Sequence, residues 1–143
     1  MKTDEFVKRK VSKYYWKDEI NCATTTLKTL SDAFEIDLNN QVIDAAQGMH
    51  GAGEYGAQCG LVEGTLMFLG IFAREKLIPD DSIVKSCKDF AGQFEKRFNS
   101  LQCSVLRPEG FNPNNTPHLC EPITCQAIEF SINFISNLLE GDK

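Results

Sequence analysis

The sequence lacks most of the features that would tie a chain to a membrane, to nucleic acid or to a ready-made metal motif. No two cysteines are spaced CxxC and no CxxCH is present, so zinc-finger, ferredoxin and covalent c-type haem patterns are all missing. The N-terminal MKTDEFVKRK is charged with no apolar stretch behind it, which argues against a secretory signal and for a cytoplasmic setting. The longest apolar run, Leu61 to Phe72, is interrupted by Glu63 and too short to span a bilayer, so no membrane insertion is expected. With 20 acidic against 15 basic residues the net charge is −5, which leaves no excess of cations to neutralise phosphates; a nucleic-acid partner is not expected. Alternating β-branched runs bounded by hairpin turns are absent, as are a Ser/His/Asp order, a phosphate loop and a paired-carboxylate motif.

What remains is helical. The chain has 143 residues, enough for one domain over 1–143 with a core of its own, and 42% of them are hydrophobic. Apolar residues at helical spacing predict helices at about 4–16 (Val7, Val11, Tyr14 on one face), 21–34 (Ala23, Leu27, Leu30, Phe34) and 40–47 (Val42, Ile43, Ala46). A further helix is expected over about 56–76, apolar on nearly every side, and therefore central. Another opens at Pro79-Asp80-Asp81 with a stripe of Ile83, Val84, Cys87, Phe90, Ala91, Phe94 and Phe98, and the last runs from Thr116-Pro117 to Leu139 over Ile128, Ile132 and Ile135. The expected fold is an all-α bundle of five or six helices around a glycine-containing central helix. The first helix, about 4–16, has room to sit at the edge of this domain, and its lysine-rich outer face reads as solvated.

Six cysteines are many for such a chain, and without an export signal they point to metal binding or redox work rather than to a disulfide framework. Cys22 follows a plausible cap at Asn21, Cys59 closes the glycine-rich GMHGAGEYGAQCG, and Cys120 falls just after Thr116-Pro117. All three are thus near helix starts, where free N–H groups and the helix dipole favour thiolate. Cys103 lies just past a helix end. Four cysteines at helix ends can meet at one end of a bundle, where they could hold an iron–sulfur cluster or a zinc ion, or cycle in pairs as a disulfide. Cys59 is expected to be the most reactive. Cys87 and Cys125 fall on apolar stripes and read as core. Gly56, Gly60 and Gly64 recur every fourth residue, which allows either close helix packing or room for a cofactor beside Cys59. His50 and His118 are candidate metal or haem ligands set against simple solvation, and Glu63 a candidate proton carrier set against a surface carboxylate.

Asn21-Cys22-Ala23, Gly56-Ala57-Gln58-Cys59-Gly60-Leu61-Val62-Glu63-Gly64, the following Thr65-Leu66-Met67-Phe68-Leu69-Gly70, Phe98-Asn99-Ser100-Leu101-Gln102-Cys103 and Cys120 resemble the redox-active family named for its pattern, C_GCAxxG_C_C. The likeness extends over about 21–139, and Leu61 and Glu63 depart from it. A similar region occurs in split-Soret cytochromes. The resemblance implies an oxidoreductase or electron-transfer component that works with an unidentified redox partner through Cys22, Cys59, Cys103 and Cys120. Two rivals stand beside it. One is a zinc-binding structural module. The other is an interaction protein with purely structural cysteines, its binding face formed by Tyr14, Tyr15 and Trp16. A homodimer stays open.

Overall fold

The computed structural model describes residues 2–141, and among them the fold is all helical. Eight α-helices follow one another: α1 (Thr3–Ser12), α2 (Cys22–Phe34), α3 (Asn40–Ala45), α4 (Gly51–Glu54), α5 (Gly60–Glu75), α6 (Asp80–Phe98), α7 (Cys103–Leu106) and α8 (Glu121–Gly141). A π-helical turn, Lys13–Lys17, continues α1. The long helices match the expected ones. The short α3 falls within the helix expected over 40–47, and the surplus over six comes from the single turns α4 and α7, in segments whose apolar pattern is too brief to register as a helix. The Gln58–Gln102 pair is an isolated antiparallel bridge.

Helix α5 lies at the centre, as its all-round apolar sequence demands: Leu61, Val62, Phe68, Leu69 and Phe72 are buried, and α2, α6 and α8 all pack on it. The helix starts four residues later than expected. Gly56 has φ +97°, which is incompatible with a helix, and Cys59 is extended and serves as the cap, its carbonyl accepting from Val62 and Glu63. Helix α8 likewise starts late, because His118 adopts φ +56° after Pro117, and the Cys120 carbonyl accepts the first α-helical bond from the Thr124 N–H.

The first helix contributes to the core. Val7 and Val11 are fully buried and α1 packs along α8. Tyr14 and Tyr15 are also buried, which removes most of the aromatic binding face expected there; Trp16 alone is exposed, at 55%. On α6, Phe90, Phe94 and Phe98 form the inward stripe, whereas Val84 points to solvent. On α8, Ile128 and Ile135 are buried, and Leu139 lies largely outside.

Candidate functional site

Each of the four expected cysteines is fixed by the start of a different helix. Asn21 caps α2 by accepting from the Thr24 N–H at 2.9 Å, and its amide donates to the Gln47 carbonyl at 3.2 Å, so Cys22 becomes the first residue of a helix anchored to the end of α3. Cys59 caps α5. Cys103, expected in a plain connection, opens the short α7. Cys120 stands immediately before α8. The glycine-rich segment folds back on itself: the Gly56 and Ala57 N–H groups donate to the Gly51 carbonyl at 3.0 and 3.2 Å. It is then laced to the segment after α6 by Cys59 N–H to the Leu101 carbonyl (2.8 Å), Cys103 N–H to the Ala57 carbonyl (2.7 Å) and Ser104 N–H to the Gly56 carbonyl (3.1 Å). This ladder sets Cys59 and Cys103 on neighbouring backbone. Gly51, at φ +66°, leaves space for the Cys103 sulfur, since a Cβ there would stand 3.1 Å from it.

Cys22, Cys59, Cys103 and Cys120 all line one cavity of about 390 Å³. Burial pushes the Cys59 thiol up to about 12 and that of Cys22 well above its ordinary range; Cys103 is raised as well. A thiolate on any one of the four would further raise its neighbours among these three. Opposing this, the N–H groups of Leu61 and Val62 favour thiolate at Cys59, and the Gly60 N–H favours it at Cys22, so the first turn of α5 serves two sulfurs. The helix-end effect expected from sequence is therefore present, but desolvation exceeds it. Cys59 is only 6% exposed, so the expected opening to solvent, and with it the expected high reactivity, does not follow.

Arg107, one turn after Cys103, is the cation of the cavity wall. Its Nη1 donates to the Cys120 sulfur at 3.5 Å, its Nε donates to the Gly110 carbonyl at 2.7 Å, and its guanidinium lies 4.3 Å from the Phe111 ring centroid. It also favours thiolate at Cys103. Sequence reasoning missed it; its place four residues after Cys103, beside a polar loop, was the signal. Tyr15, expected on an outer binding face, is a cavity residue instead. It is buried in the cavity wall with its hydroxyl 2.7 Å from Thr124 Oγ1, and His118 stacks on it at 5.1 Å between ring centroids.

The remaining candidates separate. His50 lines the cavity, and its Nδ1 is buried without a partner. Glu63 accepts from the Gln58 amide and lies outside the cavity lining. Cys87 and Cys125 are partly buried against the core, away from the cavity. Gly60 and Gly64 were candidates for close helix packing or for cofactor room, and the structure sets α2 against both. A Cβ on Gly60 would lie 2.4 Å from the Cys22 sulfur, and one on Gly64 2.5 Å from the Ala23 carbonyl oxygen. Both spaces are taken by α2. Gly56 stands outside the helix, against Ser104, so the three do not share one helix face. Among the described residues, no three Cys, His, Asp or Glu side chains are gathered closely enough to hold a metal ion, and all six cysteines are free thiols.

The family model described as "Putative redox-active protein (C_GCAxxG_C_C)" matches residues 20–133. The chain belongs to the C_GCAxxG_C_C family. No curated protein and no solved structure matches it. All four cavity cysteines lie inside the span of the C_GCAxxG_C_C model, which supports a redox role in general terms. Helix α1 and the π-helical turn, which supply Tyr15 and Trp16, lie before it. Among the described residues no helix is long and apolar enough to cross a membrane.

Proposed function

We propose that the protein is an electron-transfer module whose cavity takes a polynuclear, cysteine-ligated metal cluster of the iron–sulfur class, with Cys22, Cys59, Cys103 and Cys120 as its ligands. The observation that carries this reading is the convergence of four cysteines, from four helix starts, on one cavity. The donor set is soft and suits iron–sulfur chemistry. A single zinc ion needs all its sulfurs about 2.3 Å from one point, and among the described residues no such group is gathered. A bound cation would have to displace the protons that burial favours on these thiols. Arg107 and the N–H groups at the start of α5 would offset the remaining negative charge, a known lever on cluster potential. Six free thiols also suit the reducing cytoplasm.

Anaerobic purification followed by iron and acid-labile sulfide analysis and a visible spectrum tests the proposal. The expected result is a brown protein that loses iron and colour when any one of the four cysteines is changed to serine, and keeps both in Cys87→Ser and Cys125→Ser. A colourless protein with stoichiometric zinc would overturn it in favour of a structural module. A metal-free protein that reversibly loses two thiols to a disulfide oxidant would replace it with dithiol chemistry. The backbone ladder that sets Cys59 beside Cys103 favours that pair for such a cycle: the two thiols would give up two protons and two electrons as the S–S bond forms and the oxidant's own S–S bond is reduced.

A further inference from the structure

The basic residues of this acidic chain are unevenly placed. Six of its 15 lysines and arginines, but only two of its 20 acids, fall in residues 2–17. Lys10 is engaged, 3.2 Å from Asp32. Lys2, Arg9, Lys13 and Lys17 are exposed and fall on one side of α1 and its π-helical continuation, spaced by seven, four and four residues; exposed Glu5 stands on the same side, exposed Asp18 and Glu19 follow Lys17, and the cations of the stripe outnumber these acids.

This stripe ends at an exposed aromatic residue that touches the cavity wall. Trp16, flanked in sequence by Tyr15 and Lys17, packs edge-on against His118 with ring centroids 4.5 Å apart. His118 stacks on Tyr15, and both His118 and Tyr15 line the thiol cavity. The Trp16 indole N–H donates to the Glu121 carboxylate at 2.9 Å, and Glu121 is the residue next to Cys120. The exposed indole is thus one ring from the cavity by one route, and one hydrogen bond and a short stretch of covalent structure from a cavity cysteine by another. The π-helical turn produces this arrangement. Its wider winding carries Tyr14 and Tyr15 into the protein and leaves Trp16 at the rim, and such turns are frequent at functional sites.

The geometry points to the α1–Trp16 face as the docking surface for an acidic electron-transfer protein, with Trp16 as an exposed aromatic contact to the cavity wall through His118. The inference rests on the redox reading of the cavity. Complementary charge on such a face acts mainly through encounter: steering raises association rates by about 10- to 1,000-fold and weakens as salt screens it. Four exposed cations on one short stripe suit an acidic patch of protein size.

Two measurements on the full chain test this and separate its failure from that of the redox reading. The first needs no redox centre: binding of a fluorescently labelled acidic plant-type ferredoxin, followed by anisotropy at low salt. Binding is expected to weaken at least about tenfold in the triple variant Arg9→Glu, Lys13→Glu, Lys17→Glu, and to a similar degree on raising salt from about 0.05 to about 0.5 M. The second is stopped-flow reduction of the purified protein by the same ferredoxin in its reduced form, set against reduction by dithionite. The triple variant and Trp16→Ala should slow the first reaction severalfold or more and leave the second unchanged. Ferredoxin binding that ignores the charge reversal would overturn the docking surface. So would charge-dependent binding to vesicles of phosphatidylcholine with phosphatidylserine but not to ferredoxin, which would mark a membrane-facing stripe. Charge-dependent ferredoxin binding with no reducible centre would uphold the surface and sink the electron-transfer reading instead.

Discussion

Between α6 and α8 the interior is filled with phenylalanine, whereas at the starts of α2, α5, α7 and α8 it is lined with cysteine, glycine and polar side chains around about 390 Å³ of space. In the first region Phe90, Phe94, Phe98, Phe130 and Phe134 stack edge-to-face and tilted, with centroids between 4.6 and 6.3 Å apart. Such rings bury large apolar area and fix one another's rotamers. The second region gives up that packing: its thiols are small, its backbone takes left-handed conformations at Gly51 and Gly56, and His50 Nδ1 is buried without a partner. The difference teaches where stability and chemistry are divided. The aromatic layer packs α6 against α8, and none of its rings lines the cavity.

The largest test of this division is on the aromatic side. Phe94 is fully buried and meets Phe90, Phe98 and Phe130. Phe94→Ala should cost about 3–5 kcal/mol, which lowers Tm by roughly 10 °C in a chain of this size. Thermal and urea denaturation would read this, and cysteine accessibility below the transition should stay as in the parent. A variant that matched the parent's stability would break the assignment of the aromatic layer as the main support.

A smaller effect comes from the thiols of the metal-free, reduced protein. Burial lifts Cys59 from its ordinary 9.0 to about 12 and raises Cys22 further. A raised folded-state pKa means that above pH 9 the unfolded chain holds fewer protons than the folded one. The contribution is therefore complete below pH 9 and is lost as pH rises toward the folded value. Each such thiol should remove about 1.4 kcal/mol of stability per pH unit over that range. Urea denaturation at pH 7, 9 and 10 should show the decline, and Cys59→Ser should make it shallower by one thiol's share, which separates it from the titration of lysine and tyrosine. An identical slope in parent and variant would show that Cys59 is not desolvated.

Legibility followed the same division. Long helices with a repeating apolar pattern could be read directly: Phe90, Phe94 and Phe98 on α6, or the all-round apolar α5, leave one physical solution each. The glycine-rich segment and the stretch before α8 could not be bounded as well, because left-handed residues such as His118 and the backbone ladder between 56–59 and 101–104 depend on tertiary partners. The cysteine positions at helix ends were legible from Asn21, the glycine run and Pro117. The balance between helix dipole and burial at Cys59 was not, since it depends on how much of the bundle closes over the sulfur. The cavity roles of Arg107 and Tyr15 stayed hidden for a related reason: a lone arginine or tyrosine has no pattern until the fold gives it a neighbour.

The finest comparison uses three glycines that helix propensity alone would treat alike. Glycine in an exposed helix interior is less favourable than alanine by about 0.5–1 kcal/mol. Gly92, on α6, has no atom within 4 Å of where a Cβ would stand, so Gly92→Ala should gain up to about 1 kcal/mol. Gly64→Ala should do the reverse and lose about 1–3 kcal/mol, because its Cβ would meet the Ala23 carbonyl oxygen at 2.5 Å and Thr26 Cβ at 2.9 Å and force α2 off α5. Gly60→Ala meets the Cys22 sulfur at 2.4 Å and the Ala23 backbone nitrogen at 2.9 Å. Its distinctive effect should be at the cavity, where Cys22 is displaced and alkylated faster in the folded protein. Denaturation curves for the three variants, with alkylation rates followed by peptide mass, would check the order. If Gly60→Ala and Gly64→Ala both stabilised the protein as Gly92→Ala does, the close approach of α2 to α5 would be wrong, and the seat it gives the Cys22 sulfur would be wrong with it.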